Sequence, residues 1–127
     1  MKKYLFIILF CFIACNSLVF AQNSGFFDKT TNVYTIQLKS NPTTGYSWFI
    51  TYYDHKLLTL RDHKYVPPKS DLVGAPGYEV WEFVATPEAL KAPCVTTIKM
   101  VYARPWEIST HNIEELGREK VFNVTIK

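Results

Sequence analysis

Beyond the first twenty-one residues, four side chains carry the chemistry of a nucleophile or a general base near neutral pH: Cys94, His55, His63 and His111. A thiol beside an imidazole is the minimum for covalent catalysis. Cys94, however, follows Pro93 at the head of a β-branched run, where a single cysteine behaves as a small hydrophobe. No His-x-x-x-His pair and no Cys-x-x-Cys spacing is present, so no metal and no cofactor is expected. There is no Gly-x-Ser-x-Gly elbow and no phosphate loop, and the carboxylates are scattered. The chain therefore reads as a non-enzyme.

Three other segments carry binding chemistry instead. In Asn41-Pro42-Thr43-Thr44-Gly45-Tyr46, proline restricts φ and glycine permits a positive one. The segment is short and uncharged, with two hydroxyls and accessible main chain, and a preformed loop of that kind binds a narrow cleft at low entropic cost. Gly74-Ala75-Pro76-Gly77 lacks bulk and lets backbone come close to backbone. Taken singly, these two read as plain turns. Arg104-Pro105-Trp106-Glu107 has two readings of equal weight. One is an interface anchor, since Trp and Arg are enriched at binding hot spots. The other is a tryptophan folded back onto the domain under an Arg–Glu pair.

The elements that must position these segments are strands. Tyr34–Lys39 alternates apolar and polar residues, the period of a half-buried strand. Ser47–Tyr53 is aromatic and β-branched, the composition of a strand buried on both faces. Leu57–Val66 is weaker, with Leu58, Leu60 and Tyr65 as inward candidates. Tyr78–Ala85 places Trp81, Phe83 and Ala85 on one face, with Glu79 and Glu82 interrupting the pattern. Cys94–Tyr102 aligns Ile98, Met100 and Tyr102, and Lys120–Lys127 aligns Phe122, Val124 and Ile126. Pro and Gly punctuation separates the runs. Ile113–Leu116 reads as a helical turn ended by Gly117. Short strands at this spacing predict an antiparallel β-sandwich or barrel. Asn123-Val124-Thr125 matches a glycosylation sequon, read as incidental inside a strand.

Antiparallel succession sends alternate connections to the same end. The connections at 40–45, 67–77 and 103–119 then share one end, and those near 54–56 and 86–93 share the other. All three unusual segments fall in the first group, and loops on a rigid scaffold are the usual seat of binding. His55 and His111 fall at opposite ends.

The 127-residue chain is 48% hydrophobic and 16% aromatic with a formal charge of +3, which suits one globular domain and excludes a disordered chain or a basic nucleic-acid binder. Met1-Lys2-Lys3, the apolar run Tyr4–Ala14 and Val19-Phe20-Ala21 form the charged, apolar and small-residue parts of a secretory signal peptide. The apolar run is too short to span a bilayer, which takes about 20 residues, so no membrane span is expected. The preferred cleavage follows Ala21, leaving 22–127 as the exported domain. The rival is Ala14-Cys15, which would leave Cys15 lipidated. The expected location is secreted or periplasmic, with a lipoprotein under the second route. After cleavage at Ala21 only Cys94 of the three cysteines remains, so no internal disulfide is available and a monomer must be held by its core.

The three segments, in this order and with these strands between them, resemble the chagasin family of cysteine protease inhibitors. The family's Asn-Pro-Thr-Thr-Gly-aromatic motif is matched by Asn41, Pro42, Thr43, Thr44, Gly45 and Tyr46. Its Arg-Pro-Trp-acidic motif is matched by Arg104, Pro105, Trp106 and Glu107. In its middle Gly-x-Gly-Gly motif, Gly74, Ala75 and Gly77 fit and Pro76 replaces a glycine. The strand Tyr78–Phe83 after it is also similar, and the resemblance covers about residues 33–127. It implies an all-β, immunoglobulin-like antiparallel sandwich that inhibits papain-like cysteine proteases reversibly. It also implies that the three loops form a wedge, with Thr43 and Thr44 over the protease's catalytic pair. Trp106 would lie on the primed side and Gly74–Gly77 on the non-primed side. Pro76 removes an N–H donor from that last contact. The alternative is an immunoglobulin-like surface or adhesion module using the same loops on a partner that is not a protease.

Overall fold

A computed structural model describes residues 24–127. The expected signal peptide (1–21) and the lipidation site at Cys15 lie outside the described residues.

Among the described residues seven strands follow in chain order: β1 (Ser24–Asp28), β2 (Val33–Ser40), β3 (Ser47–Tyr53), β4 (Leu58–Val66), β5 (Gly77–Ala85), β6 (Cys94–Ala103) and β7 (Glu119–Ile126). Two short helices interrupt them, α1 (Pro87–Leu90) and α2 (Pro105–Thr110), together with 3-10 turns at Pro42–Thr44 and Ile113–Leu116. The strands form two antiparallel sheets with orders β1-β2-β5-β4 and β3-β6-β7. That is the order of an immunoglobulin constant-type sandwich, so the all-β sandwich holds and the barrel is set aside.

Inward residues alternate as the pleat requires. Ile36, Leu38, Leu58 and Phe83 from the first sheet meet Ile98, Met100, Val124 and Ile126 from the second, all almost fully buried. Each such side chain contributes about 1.5–3 kcal/mol by leaving water. That burial must hold the domain, since Cys94 is a free thiol. Register sets Ile36 opposite Trp81 and Trp48 opposite Tyr102. The Trp48 and Tyr102 rings pack with centroids 5.1 Å apart.

Four details differ from the sequence reading. β1 was not anticipated: its five residues are too few to show a period, and it exists because β2 offers it an edge to pair with. β3 is not buried on both faces. Only Trp48 is fully buried, and Tyr52 is 51% exposed, because the sheet containing β3 is covered on one side only. Tyr65 is exposed, since a register shift between Leu60 and Asp62 breaks the β4 alternation. Glu79 does not interrupt the inward face of β5 but belongs to it: Gly77, Glu79, Trp81, Phe83 and Ala85 are all buried.

The connections sort to two ends as the alternation argument requires. At one end Ala85 N–H donates to Asn32 O (2.9 Å), Thr86 N–H donates to Leu57 O (3.0 Å), and the Thr86 hydroxyl donates to Lys56 O (2.5 Å). Cys94, whose thiol donates to Ala89 O at 3.5 Å, and His55 belong to this end. The 41–46, 67–76 and 104–118 connections belong to the other.

Candidate functional site

Asn41 organises the first connection. Its backbone carbonyl accepts Thr44 N–H (3.2 Å) and the Thr44 hydroxyl (2.7 Å), and its side-chain oxygen accepts the Thr43 hydroxyl (2.5 Å). These bonds wind Pro42–Thr44 into a single 3-10 turn with proline at its start, where no N–H is needed. Gly45 ends it at φ +83°, a conformation glycine adopts without penalty. Both threonine hydroxyls are therefore used inside an exposed, preformed loop.

The second connection is tied to the first. The Asn41 side-chain amide donates to Gly74 O at 2.9 Å. Leu72 is 77% exposed, Val73 is fully exposed, and a turn closes from Ala75 N–H to Leu72 O (3.2 Å) with Gly74 at φ +80°. Gly77 has a different job from its neighbours. It is buried as the first residue of β5, and a Cβ there would fall 2.2 Å from Val66 O. Its lack of a side chain serves the pairing with β4.

The third segment is the start of a helix rather than a loop. Pro105 opens α2 at the position proline favours. Glu107 then folds back, its carboxylate accepting Arg104 N–H (2.9 Å) while its own N–H donates to Arg104 O (3.0 Å). The same carboxylate oxygen accepts from Arg118 Nη2 at 3.0 Å. The Arg104 N–H, opposed by partial burial and aided by the Arg118 guanidinium, holds the Glu107 carboxyl below the usual range. The charged partner of Glu107 is thus Arg118, and Trp106 is left 59% exposed. Of the two sequence readings of this segment, the folded-back tryptophan is overturned.

Tyr46 joins the third segment to the first. The Arg104 guanidinium carbon lies 4.5 Å from the centre of its ring and that of Arg118 lies 4.9 Å away. Arg118 Nη1 donates to the Tyr46 hydroxyl at 3.1 Å. Tyr46 also stacks on Tyr102 (5.3 Å), whose hydroxyl accepts Asn41 N–H (3.1 Å). The fold thus brings together all the segments singled out by sequence, 41–46, 74–77 and 104–107. It adds Tyr102 and Arg118, which sequence reasoning missed. Tyr102 read only as a core-facing strand residue, and nothing local marks Arg118.

The titratable residues do not converge. His63 stacks on Trp81 at 3.5 Å, the His55 ring lies tilted against Tyr53 at 4.0 Å, and His111 bonds to Thr110. Among the described residues no cluster of metal-ligating side chains forms, and no helix is long and apolar enough to cross a membrane.

The model of the family described as "Chagasin family peptidase inhibitor I42" matches residues 29–126, which is most of the chain and includes every strand from β2 onward. The chain belongs to the chagasin family of peptidase inhibitors. It is 37% identical over 84 residues to Chagasin of Trypanosoma cruzi, covering 62% of this chain and 71% of the relative. It is 35% identical over 112 residues to Amoebiasin-2 of Entamoeba histolytica, covering 84% of this chain and 87% of that relative. Membership in this chagasin family carries the inhibitor function that the sequence resemblance implied.

Proposed function

We propose that the protein inhibits papain-like cysteine proteases reversibly, by seating the 41–46, 72–76 and 104–107 segments in the active-site cleft. The observation that carries this reading is the bonding of the three segments into one end of the sandwich, through Asn41 to Gly74 and through Arg104 over Tyr46. Such a surface is ordered before it meets a partner, which lowers the cost of binding.

The geometry also supports binding without cleavage. A nucleophile needs a scissile bond held within reach in a near-attack arrangement. Protease substrates present extended backbone, whereas Thr43 and Thr44 sit in a 3-10 turn closed by Gly45 N–H on Pro42 O (3.0 Å). Near that turn, exposed Trp106, Leu72 and Val73 offer apolar contact. The chain acts as a ligand of the protease and not as an enzyme. We further propose that it works as a secreted or periplasmic monomer after removal of residues 1–21, with Cys15 lipidation the alternative processing.

The test is a titration of residues 22–127 against papain and a cathepsin L. Stoichiometric, reversible loss of peptidase activity, with the inhibitor recovered uncleaved, is the expected result. No inhibition at micromolar concentration, or consumption of the inhibitor as a substrate, sinks the proposal.

A further inference from the structure

Glu79 is 2% exposed, a charged side chain on the inward face of β5. A buried carboxylate is costly unless its oxygens are satisfied, and here both are. Oε1 accepts from the Ser40 hydroxyl (2.7 Å), the Ser47 hydroxyl (3.1 Å) and Trp48 N–H (3.2 Å). Oε2 lies 3.1 Å from His63 Nε2 on β4, and the His63 ring is held flat against Trp81.

The positions of these donors are informative. Ser40 is the last residue of β2, in the four-stranded sheet, and Ser47 is the first residue of β3, in the three-stranded sheet. Between them the chain crosses from one sheet to the other, and the crossing is the 41–46 segment. One carboxylate oxygen on a third strand therefore grips both stems of that segment. A second clasp runs the same way, from Trp48 Nε1 to Lys39 O at 3.0 Å. A carboxylate suits this task because one oxygen takes several donors at once and bonds to a charged acceptor are the stronger ones. An apolar residue at 79 would fill the core but leave Ser40, Ser47 and Trp48 N–H without an acceptor.

We infer that Glu79 is a positioning residue for protease binding: it sets the spacing and angle of the two stems from which the Asn41–Tyr46 turn projects, and His63 holds it in the required rotamer. This rests on the inhibitor reading above for its functional consequence, and it has a structural consequence that does not. Glu79 itself is too deep to touch a protease.

The experiment compares Glu79→Leu, Glu79→Gln and the double variant Ser40→Ala/Ser47→Ala with the parent protein. Amide hydrogen exchange is followed at Thr44, Gly45 and Trp48, with Ala85 and Thr86 at the far end as internal controls, and papain inhibition is measured in parallel. Gln keeps an accepting oxygen but not the charge, so Glu79→Gln should fall between the parent and Glu79→Leu in both readouts. Glu79→Leu should speed exchange at the three loop and stem amides and weaken inhibition by about tenfold or more, the scale of orphaning buried hydrogen-bonding groups, with the far-end amides unchanged. If Glu79→Leu does not fold, the serine double variant decides, with a smaller shift in the same amides expected. Unchanged loop exchange, or equal acceleration at both ends, overturns the inference. If the parent protein itself fails to inhibit papain, the inhibitor reading falls, and loop exchange alone still decides whether Glu79 orders the turn.

Discussion

The side-chain amide of Asn41 donates to the backbone carbonyl of Gly74 across 2.9 Å, joining two connections that are 33 residues apart in the chain. The same side chain accepts the Thr43 hydroxyl. Asn41 therefore both shapes its own turn and fixes the neighbouring loop. Asn41→Ala should loosen both and weaken papain inhibition by up to about thirtyfold, in line with roughly 1 kcal/mol for each of the two hydrogen bonds lost. The melting temperature should fall only slightly, because the loops lie outside the core. Inhibition kinetics alongside a thermal melt checks this, and an unchanged inhibition constant refutes it.

Trp106 lies in the first turn of α2, is 59% exposed, and has the Arg104 guanidinium 5.6 Å from its ring centre. An exposed, pre-positioned tryptophan is the profile of an interface anchor, whose truncation costs about 2–4 kcal/mol of binding. Trp106→Ala should therefore weaken inhibition at least thirtyfold, mostly through faster dissociation, with little change in stability. Surface plasmon resonance against inactivated papain separates the two rates.

The glycines at 45 and 77 should fail differently. At Gly45 a Cβ would meet Arg104 Nε only at 3.8 Å, but φ is +83°. Gly45→Ala then costs on the order of 1–2 kcal/mol of backbone strain, felt mainly as weaker inhibition. At Gly77 the Cβ would fall 2.2 Å from Val66 O. Gly77→Ala must push β4 and β5 apart and should lower the melting temperature sharply. Similar melting temperatures for the two variants would contradict this assignment.

Glu107 links the third segment to pH. Its carboxyl is held below its ordinary value of 4.5, chiefly by Arg104 N–H working against partial burial, with help from Arg118. A group whose pKa is lowered on folding contributes stability in full above its unfolded value and loses it as pH falls through the folded value. The start of α2 should therefore loosen in acid, below about 4.5, and stay intact through neutral pH. An NMR titration of the Arg104 amide should report the release. Glu107→Gln should show no such acid-side transition.

Cys94 lies at the far end of the sandwich, bonded to Ala89 O. Cys94→Ala should leave papain inhibition within twofold of the parent, the scatter expected of independent sites. A large loss would mean that the thiol, and not the loop end, carries the activity.

Much of the fold was readable because alternation along a strand is local. Ile36 and Leu38, Phe83 and Ala85, and Val124 and Ile126 each declare an inward face within a few residues. The 3-10 turn at Ile113–Leu116 and its ending at Gly117 are local too, and were legible. β1 was not, since its register comes wholly from β2. Glu79 was misread for the related reason that a carboxylate looks like an outward residue. Only its hydrogen-bonding partners, on β2, β3 and β4, make the inward position tolerable.

By itself the sequence determined which residues form the strands from β2 onward, that the motif-bearing connections share one end, and which family the motifs resemble. Each depends on periodicity or on residues adjacent in the chain. The tertiary structure alone decided how the segments are held: Asn41 to Gly74, Tyr46 beneath Arg104 and Arg118, Glu107 paired with Arg118, and Glu79 between the stems of the first turn. Those contacts join residues far apart in sequence. Their energies depend on distance and burial, which exist only once the two sheets have closed on their core.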